Sequence, residues 1–317
     1  MLATYQHGIY PRSEVLVTAT RDLDRGRTTP EAVNARFDQD QREFVQVQTE
    51  AELDYFSDGM LRWQDLFRPL IEACPGLDPG ALTRWFDNNA FFRAPQVGGD
   101  VGSFDGTLSA VFDTAASVPE PRLATLPSPF LFSRVSVWKG NRNDLMLELA
   151  RNLIRPLAER LVVEGYRLIQ LQEPWLVFHG IDDGDWKPFE ESVRLVTDGL
   201  GATTVLHTYF GDASPHADRL RELPVDAIGF DFGETDVDAL GSRWEKAILV
   251  GCIDGQRSLI EPVGDVVAFV QQIAERLQPP AIYVSSVSDL EVLPHALARQ
   301  KVLLLGEVGR RLKELLT

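Results

Sequence analysis

Thr203-Thr204-Val205-Leu206-His207-Thr208-Tyr209, Asp226-Ala227-Ile228-Gly229-Phe230-Asp231 and Ala247-Ile248-Leu249-Val250-Gly251-Cys252-Ile253-Asp254 follow one another within residues 202–254. Each is a short apolar run that closes on a polar residue, as expected of a buried strand whose far end meets solvent or a ligand. In a parallel α/β barrel these ends share one face, and that face carries the chemistry. The three runs predict an α/β chain folded as a (β/α)8 TIM barrel, with His207, Asp231 and Asp254 facing one another at its mouth.

Working outward, the same rhythm supplies five more strands. Residues 4–12 read as a first strand running into a turn, residues 53–59 as a second, 129–135 as a third, 167–174 as a fourth and 281–286 as the eighth. Helices are expected from Thr29-Pro30, an N-cap followed by proline at the first helical position, to residue 51. Others are expected at 144–164, 187–200, 215–223, 262–277 and 300–316. Eight strands alternating with helices is the count that closes a barrel. Residues 61–128 break the alternation with prolines and glycines but are dense in aromatics, among them Trp63, Phe67, Trp85, Phe86, Phe91, Phe92 and Phe104. Disorder would require the opposite composition, so this stretch reads as an insertion over the mouth of a single domain spanning residues 1–317.

Composition limits the partners. The 317 residues carry a formal charge of −16 with no basic run, which argues against nucleic acid, whose phosphates demand clustered positive charge. Cys74 and Cys252 stand far apart and form no disulfide framework or Cys-x-x-Cys motif. No apolar stretch long enough for a membrane span and no leader-like start is seen, so a cytoplasmic chain acting on a small-molecule substrate is expected. Gly98-Gly99-Asp100-Val101-Gly102 lacks the strand before it and the lysine after it that a nucleotide cradle uses. No Gly-x-Ser-x-Gly elbow is present. Glu173 and Asp231 could serve as the paired acids of a glycosidase, which their separation would test.

Gly8-Ile9-Tyr10-Pro11-Arg12, Asp58-Gly59, Trp85-Phe86-Asp87-Asn88-Asn89, Ile169-Gln170-Leu171-Gln172-Glu173-Pro174, His207-Thr208-Tyr209-Phe210 and Gly251-Cys252-Ile253-Asp254-Gly255 occur in order along nearly the whole chain. Together they resemble landmarks of the cobalamin-independent methionine synthase family, whose two halves are both (β/α)8 barrels. The resemblance is mixed. The family's catalytic half holds zinc through a His-x-Cys pair, a Glu at the end of the next strand and a Cys after the last strand. Here His207 stands on the His position, Tyr209 on the first Cys, Asp231 on the Glu and Ser288 or a neighbour on the last Cys. Gln256 replaces a proton-shuttling His, and Met60 and Gln172 replace the acids that hold homocysteine. Trp85-Phe86-Asp87-Asn88-Asn89, Thr208-Tyr209-Phe210 and Ile253-Asp254-Gly255-Gln256-Arg257 look more like the zinc-free N-terminal half, which helps to bind the polyglutamylated folate.

The resemblance implies a methyltransferase-like barrel, moving a methyl group from a folate-type or other one-carbon carrier to a thiol or other small nucleophile, with a degenerate zinc site built on His207 and Asp231. The alternative it implies is a zinc-free folate- or pterin-binding barrel that partners a separate catalytic or methyl-donor protein. The catalytic candidates are His207, Asp231, Glu173 and Asp254. The substrate-binding candidates are Arg12, Asp58, Trp85, Asn89, Arg134, Gln172, Tyr209 and Arg257. Plainer roles stand beside these. His207 as a buried histidine bonded to Asp231 or Tyr209, Glu173 as an acceptor of backbone amides at a strand end, and Asp254-Gly255 as a turn all fit the same residues.

Overall fold

The computed structural model of the chain describes residues 1–104 and 117–316. Seven parallel strands form one curled sheet in the order β1-β9-β8-β7-β6-β5-β4. They are β1 (Leu2–Thr4), β4 (Arg122–Pro127), β5 (Tyr166–Gln172), β6 (Thr203–His207), β7 (Ala227–Asp231), β8 (Ala247–Ile253) and β9 (Ile282–Ser286). Between β4 and β1, residues 55 and 56 occupy the remaining place: Tyr55 pairs parallel with Tyr5, and Phe56 pairs parallel with Arg122. Backbone bonds from Asp54 N to Thr4 O (2.9 Å) and from Phe56 N to Pro121 O (3.0 Å) complete the ring. The eight-stranded barrel expected from the sequence is therefore present, with its second strand reduced to a two-residue contact.

The third strand lies elsewhere than expected. Residues 129–135 form a helix (Pro129–Val135), while the strand is Arg122–Pro127. Ser128 caps that helix by accepting from Leu131 N, and Pro129 takes a first-turn position where its missing N–H costs nothing. The insertion thus stops short of residue 122, and its stretch 105–116 lies outside the described residues. Within the rest of it, β2 (Leu77–Arg84) and β3 (Phe91–Val97) pair antiparallel as a hairpin. A helix at Glu14–Asp24 was not expected; Ser13 caps it. The Thr29-Pro30 start is observed, with Thr29 accepting from Ala32 N at the head of Pro30–Glu50. The long helix His295–Leu316 begins five residues earlier than expected.

Side chains alternate across each strand, so register decides which of them enter the barrel. Ala3, Tyr5, Leu123, Leu168, Val205, Ala227, Ala247, Leu249 and Tyr283 form one buried cluster inside it. The same faces, continued toward the C-terminal ends, bring His7, Gln170, Gln172, His207, Gly229, Asp231 and Gly251 inward. The interior therefore changes from apolar at the base to polar at the mouth. A larger apolar cluster packs the helices on the outside.

Candidate active site

His207 and Asp231 share the inward face but not the same layer. His207 pairs with Gly229, and Asp231 pairs with Gly251 one layer higher. Two residues of strand advance about 6–7 Å, so no direct hydrogen bond joins the two side chains. His207 instead meets Gln170, whose Nε2 lies 3.1 Å from its Nδ1, and packs edge-on against His7 with ring centroids 4.9 Å apart. Burial, and then the neighbouring His7, hold the His207 ring well below the usual histidine range, so it is neutral at pH 7. Asp231 accepts from Gly233 N (3.0 Å) and Phe210 N (3.3 Å), and burial raises its carboxyl to about 6 against those two bonds. It opens into a cavity of about 670 Å³ shared with Phe178, Phe210, Phe232, Asp254 and Arg257.

The other two expected catalytic residues are engaged in local structure. Glu173 is fully buried and accepts from the Ser128 hydroxyl, Leu131 N (3.1 Å) and Leu176 N (3.0 Å). It thereby caps both Pro129–Val135 and the short helix Trp175–Phe178. Its parity explains this: Gln170 and Gln172 face inward, so Glu173 is directed to the helices. Asp254 accepts from Gln256 N (2.7 Å) and Arg257 N (3.2 Å), which makes Asp254-Gly255 a side-chain-closed turn at the cavity rim. Glu261 Oε1 receives Asp254 N and is itself paired with the buried Lys301 at 2.9 Å.

The expected binding residues scatter. Gln172 and Tyr209 belong together: the Tyr209 hydroxyl donates to Gln172 Oε1 (2.7 Å), and Gln172 Nε2 donates to Asp289 Oδ1 (2.7 Å). Trp85 and Asn89 lie at the hairpin tip, Asn89 exposed. The neighbouring Phe86 packs its ring against Trp175, Phe178, His179 and Phe210, so the tip rests on the loops after β5 and β6. Arg257 is 84 % exposed and lies 3.4 Å from Asp254. Arg12 donates to Leu61 O (2.8 Å) and Trp63 O (2.9 Å) beside a second cavity of about 800 Å³. Asp58 accepts from Met60 N within its own turn. Arg134 is paired with Asp185 at 2.5 Å over the Phe130 ring, which commits its charge to a structural ion pair.

Three residues of the mouth escaped the sequence reading. His7 is wholly buried, donates from Nε2 to Ser286 O (3.1 Å), and is held down to about 4, chiefly by burial. Asp289 lies 3.7 Å from His7 Nδ1, with its carboxyl raised to about 6 by burial despite the Gln172 amide and the Ile9 backbone N–H. Gly8, at φ +72°, makes room for it: any Cβ there would fall 1.8 Å from Asp289 Oδ1. Glu291 borders the larger cavity and is raised to about 7 by burial, Asp289 and Asp65, with Arg12 opposing. The signal for His7 was its place one residue before the Gly8 motif. Asp289 and Glu291 follow a strand with no motif to mark them.

The donors at the zinc position do not fit zinc. Such a site takes several N and S ligands with lone pairs free, preferably thiolates. Tyr209 commits its hydroxyl to Gln172, Asp231 accepts two backbone amides, and the third position is a serine. Cys252 faces Ser285 O, and burial, then Glu261, push its thiol up, away from the thiolate form. Among the described residues, no three His, Cys, Asp or Glu side chains gather closely enough to hold a metal ion, nor is any helix long and apolar enough to cross a membrane.

Comparisons with known proteins agree with this geometry in fold. Methionine synthases of Sulfolobus acidocaldarius and Saccharolobus islandicus are both 26 % identical to this chain, covering 96 % and 99 % of it and 90 % and 96 % of their own lengths. A B12-independent methionine synthase from Shewanella sp. W3-18-1, solved with selenomethionine, superposes with a TM-score of 0.76 at 19 % identity over 92 % of this chain and 91 % of that one. A putative vitamin-B12 independent methionine synthase from Listeria monocytogenes gives the same TM-score at 14 % identity over 98 % of each. The family model described as the N-terminal domain of the cobalamin-independent synthase matches residues 75–278, from the hairpin to the end of the helix after β8. With that match extending over more than half of the sequence, the chain belongs to the cobalamin-independent synthase family.

Proposed function

We propose that this barrel transfers a methyl group from a folate-type or other one-carbon carrier to a small nucleophile, and does so without a zinc thiolate. The observation that supports it most is Asp231, an inward carboxyl raised to about 6 that lines the 670 Å³ cavity together with Phe178, Phe210 and Phe232. A base of that pKa is largely ionised at pH 7 yet close enough to neutrality to accept a proton as charge develops. The nucleophile's lone pair forms the new bond to the methyl carbon while the bond from that carbon to the carrier breaks. The nucleophile's proton passes to Asp231, and the released carrier atom takes up a proton. Phe178, Phe210 and Phe232 offer flat apolar surface for a ring, and Arg257 at the rim offers a charge for an anionic tail.

Carrier labelled with 13C at the methyl group, incubated with metal-free protein and a panel of thiols and amines, tests the reading by NMR. Label should appear on an acceptor other than homocysteine, and Asp231→Asn should abolish the transfer. Carrier that binds and never loses its label to any acceptor would contradict it.

A further inference from the structure

The two ring nitrogens of His207 are held unequally. Tyr5 donates its hydroxyl to Gln170 Oε1 at 2.9 Å, which turns Gln170 Nε2 toward His207 Nδ1 at 3.1 Å. An amide NH2 only donates, so Nδ1 carries the lone pair that receives it. In a neutral imidazole the proton then resides on the other nitrogen. Nε2 is fully buried and has no hydrogen-bond partner. Gly251 lines the 670 Å³ cavity, and a side-chain carbon on it would lie 3.5 Å from His207 Nε2 and 2.8 Å from Phe230 O. The glycine thus permits close backbone packing and places the buried nitrogen within one van der Waals contact of a residue that lines the cavity. His7 complements it, because its Nε2 donates to Ser286 O and leaves Nδ1 as an unpartnered acceptor.

We propose that Gln170 fixes His207 as the Nε2–H tautomer, so that the imidazole offers the mouth a hydrogen-bond donor and withholds the lone pair a metal would need. Gln170 is then a positioning residue acting through His207, and the ligand class this selects is one with an oxygen or nitrogen acceptor atom at the cavity floor. A buried donor left without an acceptor is costly, which gives such a ligand differential affinity. The inference shares its location with the methyl-transfer reading, but the tautomer follows from the Tyr5-Gln170-His207 chain alone.

Long-range 1H–15N spectra of 15N-histidine-labelled protein at pH 7 test it, with the five histidines assigned by single substitutions. His207 should show a protonated Nε2 and an unprotonated Nδ1, and one equivalent of zinc should leave both signals in place. In Gln170→Glu the carboxylate accepts from Nδ1–H, so the proton should move to Nδ1. A wild-type Nδ1–H tautomer, or His207 signals displaced by zinc, would overturn the proposal. So would a Gln170→Glu protein that keeps Nε2–H at a pH where its infrared spectrum shows the new carboxyl ionised. Should that variant not fold, the wild-type spectrum decides by itself. A chain inactive in methyl transfer would still give the expected spectrum, so the two readings fail separately.

Discussion

Replacing Glu173 with glutamine separates a helix cap from a catalytic acid. Three donors, the Ser128 hydroxyl, Leu131 N and Leu176 N, converge on its two oxygens. Glutamine keeps one acceptor oxygen and sets an NH2 against at least one of these donors, leaving a buried N–H unpaired at a cost of about 1–3 kcal/mol. The substitution also changes the pH response. Burial raises the Glu173 carboxyl from 4.5 to about 7 in the folded protein. Its contribution to stability is therefore fully present below the unfolded value and is lost as pH rises through the folded one. Between pH 5 and pH 8 that linkage removes about 2–3 kcal/mol from the wild type and nothing from the variant. Urea unfolding of both proteins at the two pH values reads the effect directly. The variant should be clearly weaker at pH 5, and the gap should shrink or reverse by pH 8. A variant within about 0.5 kcal/mol of wild type at both pH values would refute the cap assignment, and parallel pH dependences would refute the raised carboxyl.

Asp231→Asn should change stability by no more than about 1–2 kcal/mol, since the folded state already disfavours the charge, while kcat/KM for methyl transfer falls to background. In the wild type kcat/KM should rise as pH passes through about 6, where Asp231 becomes a carboxylate; a profile flat from pH 5 to 8 would remove it as the base. Phe86→Ala deletes the ring that joins the hairpin tip to Trp175, Phe178 and Phe210, so KM for the carrier should rise with kcat little altered. An unchanged KM would show that the tip does not shape the site. Gly8→Ala should destabilise by about 1–3 kcal/mol, because a side chain at φ +72° is strained and meets Asp289. Chemical unfolding that finds it neutral would mean that Asp289 moves freely.

Strand-end polarity made the barrel legible from residues 202–254, because a run such as Ala247–Ile253 buries both faces and leaves little doubt of its class. The third strand was missed where a Pro-Phe-Leu-Phe run looks like a strand, although Ser128-Pro129 ahead of it marks a helix start. For the site, polarity alone was insufficient and parity was the missing step. Gln172 and His207 point inward, Glu173 does not, and counting alternate residues from the apolar interior of β5 would have separated them. Register was the second missing step, since nothing in one strand's sequence says that Asp231 lies a layer above His207. His7, Asp289 and Glu291 come from loops whose approach depends on tertiary packing, with Gly8 the one local trace of it.

The most direct measurement is the rate of labelled methyl transfer by protein stripped of metal, beside the same protein given one equivalent of zinc. Equal rates in the two, both lost in Asp231→Asn, are expected of a barrel whose zinc position holds Tyr209, a backbone-bonded Asp231 and Ser288. Transfer that appears only with zinc, and that fails when His207 is replaced, would contradict it.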